Sequence, residues 1–132
     1  MNSIPIEITR ISKENNVSVV RDTVNCDKNY GACAGDEIFL GEFDDPKIEI
    51  AAFFHELGHI VNRRNGTGRH FRMSMISQEG AAWETGFDLA YKYGHNYDYK
   101  SDVMIWARKQ LSSYIDGEYD DTKQYRDEKN NA

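Results

Sequence analysis

Basic charge, cysteine, proline and long apolar runs are all scarce in this chain of 132 residues. Lys and Arg number 16 against 22 Asp and Glu, a formal net charge of -6, and they gather in no run. A basic face for nucleic acid is therefore not expected. No apolar stretch approaches the ~20 residues that span a bilayer, and MNSIPIEITR lacks the basic start and long apolar segment of a signal peptide. A cytoplasmic protein without membrane attachment is expected. Cys26 and Cys33, the only cysteines, have six residues between them. That is not the CxxC spacing of a structural zinc site, and a disulfide is rare in the cytosol, so two reduced thiols near a turn are expected. The two prolines, Pro5 and Pro46, each suit the first turn of a helix.

What is present suits one domain with one core: 39% hydrophobic and 29% charged residues in a chain of this length. NSIPIEITRISKEN predicts a first helix, with Ser3 as its cap and Ile4, Ile8 and Ile11 on one face. VSVVRDTV (17–24) and EIFLGEF (37–43) predict strands, and NCDKNYGACAGD between them predicts a loop from its Gly, Asn and Asp content. Asp45 and Pro46 open a helix that NGTGRH is expected to end after Arg64. Helices follow over 76–93, closed by Gly94, and over about 100–115, with Val103, Trp106, Ala107, Gln110, Leu111 and Tyr114 at helical spacing. The domain is expected to cover 1–116, and 117–132 reads as a polar, frayed tail. The order of elements predicts a small α+β fold, with a small sheet packed against the central helix and two further helices.

The central helix carries HELGH, residues 55–59. At about 100° per residue, His59, Ile48, Ala52 and Asn62 fall within about 60° of His55. Phe53, Phe54, Leu57, Ile60 and Val61 occupy the opposite arc. The helix thus has an apolar back and a front that carries both imidazoles. Two imidazoles one turn apart can converge on one ion, and a glutamate between them can take a proton from a metal-bound water. By chance the pattern would arise in about one such chain per hundred. Its position on the front of a well-patterned helix favours a metal site over a coincidental histidine pair.

Catalytic zinc takes three protein ligands. A histidine six residues after His59, the metzincin third ligand, is absent, because Asn65 stands there. The candidates are His70, Glu79, Glu84, Asp88 and His95. On the wheel of its own helix, Glu79 shares a face with Ala82, Trp83, Gly86 and Ala90, and it is the one charged group there. A carboxylate that faces inward needs a partner, and a cation is a good one. Glu84 and Asp88 fall on the opposite, solvated side. Ala82, Gly86 and Ala90 are small enough to let this helix lie close to the HELGH helix, and Gly58 leaves room on the other side of that approach.

HELGH followed by Glu79-Gly80-Ala81-Ala82, with Glu79 twenty positions after His59, resembles the gluzincins, and most closely the small ImmA/IrrE-like peptidases. The likeness covers roughly residues 4–94. These are cytosolic proteins often carried by phages and mobile elements. The resemblance implies a minimal zincin fold, with zinc (Zn²⁺) held by His55, His59 and Glu79 and with Glu56 as the general base. Where the family often has Asn after the E-x-x-A alanine, this chain has Trp83.

The expected activity is zinc-dependent endopeptidase chemistry on a protein or peptide substrate. Zinc would polarise the scissile carbonyl, and Glu56 would pass a proton from water to the leaving amine. The oxyanion needs a further donor, for which His70, His95, Tyr93 and Tyr97 are the candidates. The domain is too small for a second lobe to wall a deep cleft, so one regulatory protein is a more fitting target than general digestion. Two other readings compete. A catalytically silent zinc-containing binding module need not keep Glu56, and a metal-free interaction domain would be indifferent to chelator.

Overall fold

The computed structural model describes residues 3–71, 75–98 and 100–116. The described residues form a mixed α+β fold of four helices and one three-stranded sheet, in the order α1 (Ile6–Glu14), β1 (Ser18–Arg21), β2 (Gly31–Ala34), β3 (Glu37–Leu40), α2 (Pro46–Phe71), α3 (Met75–Lys92) and α4 (Asp102–Asp116). The stretch 117–132, expected to be a frayed tail, lies outside the described residues. Among the described residues no helix is long and apolar enough to cross a membrane.

Pro5, not Ser3, occupies the N-cap of α1, and no side chain caps it. The extended backbone of Pro5 starts the helix two residues beyond Ser3. The Ser3 carbonyl instead accepts a hydrogen bond from Arg21 at 3.0 Å. Ile8 and Ile11 are fully buried, and Ile4 packs against the same cluster. Asn16 ends α1 at φ 56°. Val17 N–H reaches back to the Ser12 carbonyl at 3.0 Å and Asn16 N–H to that of Lys13 at 3.3 Å, the paired bonds of a Schellman cap. Arg64 of α2 donates to the carbonyls of Asn15 and Asn16 at 2.6 and 2.9 Å, which places a cation at the negative end of α1.

The sheet order is β1-β3-β2. β1 and β3 run parallel, from Ser18 opposite Glu37 to Arg21 opposite Leu40. β2 pairs antiparallel with β3, from Gly31 opposite Leu40 to Ala34 opposite Glu37. β2 lies inside the stretch expected to be a loop, so that expectation is corrected. GACA has no β-branched or aromatic residue to mark it. It is a strand because the two-residue turn Gly35–Asp36 folds it onto β3, with Gly35 at φ 59°, the sign that primed hairpin turns need at their first position.

Asp45 caps α2 as the sequence predicts, its carboxylate accepting from Lys47 N–H at 2.9 Å. The helix runs on to Phe71, well past the expected stop at Arg64. A glycine ends a helix when it turns left-handed, and Gly66 is not among the glycines with positive φ. Its cost of about 1 kcal/mol is within what a long helix tolerates. Phe53, Leu57 and Ile60 of α2 meet Ile38 and Leu40 of β3 in one buried cluster.

α3 ends where expected. Gly94 takes φ 91°, His95 N–H donates to the Ala90 carbonyl at 2.8 Å and Gly94 N–H to that of Tyr91 at 3.0 Å. Ser101 caps α4 by accepting from Met104 N–H at 3.2 Å, and Val103 and Ala107 are buried beneath it. The side chain of Tyr114, the last residue of the predicted apolar stripe, lies outside the described ones.

A candidate metal centre between two helices

α2 and α3 approach so closely that their glycines are part of the contact. A Cβ on Gly86 would stand 2.8 Å from the Phe54 carbonyl oxygen, and one on Gly58 would collide with the Ala82 carbonyl. The front of α2 is therefore covered by α3 rather than open to water. The side chains of His55 and His59 keep only 12% and 13% of their exposure.

Glu79 projects from α3 into this seam. His55 Nε2 lies 2.8 Å from Glu79 Oε2, and His59 Nε2 lies 3.2 Å from Oε1. One ligating atom from each of the three falls within 4.8 Å of the others, close enough to bind one metal ion. Two imidazole nitrogens and one carboxylate make the His₂Glu set that catalytic zinc accepts, with its fourth position left to water or substrate. By this donor chemistry the residues fit the ion. Glu84 is exposed, as is Asp88. His95 is held at 2.5 Å from Glu7, away from the cluster. His70 falls in the last turn of α2, and its side chain lies outside the described residues.

The electrostatics follow from burial and from this pairing. Desolvation alone would raise Glu79, but the hydrogen bonds from His55 and His59 outweigh it and hold the carboxyl at about 2. For His59, burial works to lower the pKa, while the hydrogen bond and charge of Glu79 more than offset it, so the net shift is upward. Glu56 is 6% exposed, and one of its carboxylate oxygens has no hydrogen-bond partner among the described residues. Desolvation raises its pKa, opposed by the nearby histidines. A base in such a place is more proton-hungry than a surface glutamate.

Glu56 opens onto a cavity of about 80 Å³ lined by Tyr30, Gly31, Ala52, His55, Glu79, Trp83, Trp106 and Gln110. Of the residues expected to steady an oxyanion, Tyr93, His95 and Tyr97 do not line it. The Tyr93 hydroxyl accepts a hydrogen bond from Asn15 at 3.0 Å. Burial, with Glu7 nearby, pushes the Tyr97 phenol up to about 12. Tyr30, Trp106 and Gln110 are site residues that sequence reasoning misses. Gln110 and Trp106 share the helical stripe that marks α4, and nothing in their spacing says that this stripe faces the HELGH helix. Both cysteines are free. Burial, then the charge of Glu56, pushes the Cys33 thiol up to about 12, so it stays protonated at neutral pH and is a poor nucleophile.

Comparison of the chain with protein-family models, with curated proteins and with solved structures finds no match.

Proposed function

We propose that this chain is a zinc-dependent endopeptidase of the gluzincin type, akin to the ImmA/IrrE-like peptidases. The observation that carries the reading is the Glu79 carboxylate, which meets Nε2 of both His55 and His59 while Glu56 lies buried beside them. His55, His59 and Glu79 would hold the ion. Bound zinc supplies a Lewis acid for the scissile carbonyl and makes a neighbouring water more acidic. Glu56 accepts a proton from the attacking water and delivers it to the leaving amine. The cavity wall carries Tyr30, Trp83, Trp106 and Gln110, side chains of the donor types that a developing oxyanion calls for.

β2 supports a peptide as the substrate. It is an edge strand of the sheet that the described residues form, and Gly31 at its start and Tyr30 just before it line the cavity beside Glu56. An extended peptide added along that edge would gain main-chain hydrogen bonds and pass the base. The small cavity and short sheet suit a single regulatory protein in the cytoplasm better than general digestion.

The test is mass spectrometry of candidate partner proteins incubated with zinc-loaded wild type and with Glu56→Gln. The amide keeps the shape of the carboxylate and cannot take the proton, so cleavage is expected to fall at least about a hundredfold while zinc content stays the same. If Glu56→Gln leaves a cellular phenotype intact and His55→Ala removes it, the protein is a zinc-containing binding module instead.

A further inference from the structure

We propose that Trp83 is the positioning residue for the His55 imidazole, and that it works by ring stacking where other metal sites use a hydrogen bond. The inference rests on the zinc reading above. A metal-ligating histidine ordinarily donates its second ring nitrogen to a carboxylate, carbonyl or water, which fixes the plane of the ring. Here His55 Nδ1 is buried and has no hydrogen-bond partner among the described residues. The face of the ring is held instead: the Trp83 indole lies 4.1 Å away, centroid to centroid, at an interplanar angle of 28°.

The indole is itself fixed. Trp83 is 7% exposed, with Phe87 stacked against it at 5.4 Å and 27° and Trp106 edge-on at 5.4 Å and 83°. Trp83 also stands one helical turn after Glu79, so both project from the same side of α3. One helix thus delivers a ligand carboxylate to His55 Nε2 at 2.8 Å and an aromatic plane to the flat of the same ring. Rotation of the imidazole about its bond to Cβ would drive its edge into the indole, while sliding within its own plane would take Nε2 off the carboxylate. The two contacts together leave it one orientation. A tryptophan does this without a charge and without asking for a partner of its own at His55 Nδ1.

The experiment compares wild type, Trp83→Phe and Trp83→Leu in zinc affinity by chelator competition, with the visible spectrum of the cobalt(II)-loaded forms and the unfolding temperature of the metal-free forms measured alongside. Phe and Leu are both smaller than Trp, Leu the more so, and only Phe keeps a flat ring; the unfolding temperature of the metal-free form reads the packing defect of each. Trp83→Leu is expected to lose about tenfold or more in zinc affinity and to alter the cobalt spectrum, the scale of losing a group that orients a ligand. Trp83→Phe is expected to stay within about threefold of wild type, on the same scale. A purely structural role predicts that zinc affinity falls in step with the unfolding temperature of the metal-free form in both variants, and that result overturns the inference. A folded Trp83→Leu that binds zinc as tightly as wild type overturns this inference and leaves the zinc reading standing. A wild-type protein that takes up no zinc overturns both. Should Trp83→Leu fail to fold, nuclear magnetic resonance of zinc-loaded wild type decides. Stacking requires the His55 ring protons to be shifted upfield by the indole ring current, and ordinary positions for them overturn the proposal.

Discussion

Gly86 on α3 and Phe54 on α2 are in backbone contact: a Cβ at Gly86 would lie 2.8 Å from the Phe54 carbonyl oxygen. That separation sets how far Glu79 reaches toward His55 and His59. Gly86→Ala must push the helices apart and is expected to cost about 1–3 kcal/mol, the range for overpacking, and to weaken zinc binding as well. Gly80, on the same helix, has nothing within 4 Å of a built Cβ. Gly80→Ala should therefore stabilise by up to about 1 kcal/mol through helix propensity. Denaturant unfolding of the two variants, with zinc titration of each, checks the contrast. Equal effects would mean that the helix crossing is looser than described.

Glu79→Ala and Glu84→Ala separate the inward carboxylate from the outward one. Glu79→Ala should lower zinc affinity more than about a hundredfold, beyond the range for residues that only support a ligand. It should also abolish stabilisation of the fold by added zinc. Glu84 is exposed, and its removal should shift stability by no more than about 0.5 kcal/mol. Calorimetric zinc titration and thermal unfolding give both readouts. Loss of zinc binding in Glu84→Ala with retention in Glu79→Ala would reverse the ligand assignment.

The metal-free protein should lose stability as pH rises above neutrality. The folded pKa of His59 lies above its ordinary 6.5, the pull of Glu79 outweighing burial. Its contribution is therefore complete below 6.5 and is lost as pH climbs through the raised value. Glu56 acts in the same direction. Burial raises its pKa above the ordinary 4.5, so the folded state carries a growing penalty for ionising it as pH rises. Glu79, held at about 2, stays charged throughout and adds no slope there. Thermal unfolding of chelator-treated protein should show a lower midpoint at pH 8.5 than at pH 6. Zinc should reverse this trend, because it needs the histidines neutral. A flat profile without metal would show that the His59–Glu79 pair does not persist in solution.

Arg21 and Glu49 form a buried ion pair that is separate from the His55, His59 and Glu79 cluster. The Arg21 guanidinium also donates to the Gly41 carbonyl at 2.6 Å and the Ser3 carbonyl at 3.0 Å, so it ties the entry of α1, β1 and the start of α2 together. Glu49→Ala removes the buried carboxylate that faces the Arg21 guanidinium and should cost about 3 kcal/mol. The double variant Arg21→Met/Glu49→Leu, which removes both charges, should cost much less. Denaturant melts of the single and double variants measure the difference. A single variant as stable as the double would show that water reaches the pair.

Much of the site is legible in the sequence. The i, i+4 spacing of His55 and His59, the apolar arc behind them and the inward phase of Glu79 are properties of a helix. Helical geometry is local: about 100° per residue converts sequence position directly into direction. The caps at Asp45 and Gly94 are legible for the same reason, since each depends on bonds within a few residues. The small residues Gly58, Ala82 and Gly86 indicate a close helix crossing, because larger side chains on those faces would not permit one.

The tertiary structure alone decided the rest. GACA is a strand only because β3 lies beside it, and pairing between strands adds no signal to the residues of one of them. His95 is a plausible ligand by type, yet the Schellman turn at Gly94 and the carboxylate of Glu7 hold it elsewhere. α2 outruns its glycines because a glycine permits a left-handed stop without compelling one. Trp83 falls on the right face of α3 by its spacing, but that it lies flat on His55 depends on how α2, α3 and α4 pack. Tyr30 on one side, and Trp106 and Gln110 of α4 on the other, lie far apart in sequence and meet at the cavity beside Glu56 for the same reason. The sequence alone determined which groups could hold a metal, through periodicity within single helices. Which side chains surround them was decided by packing between elements distant in sequence, and no local spacing encodes that.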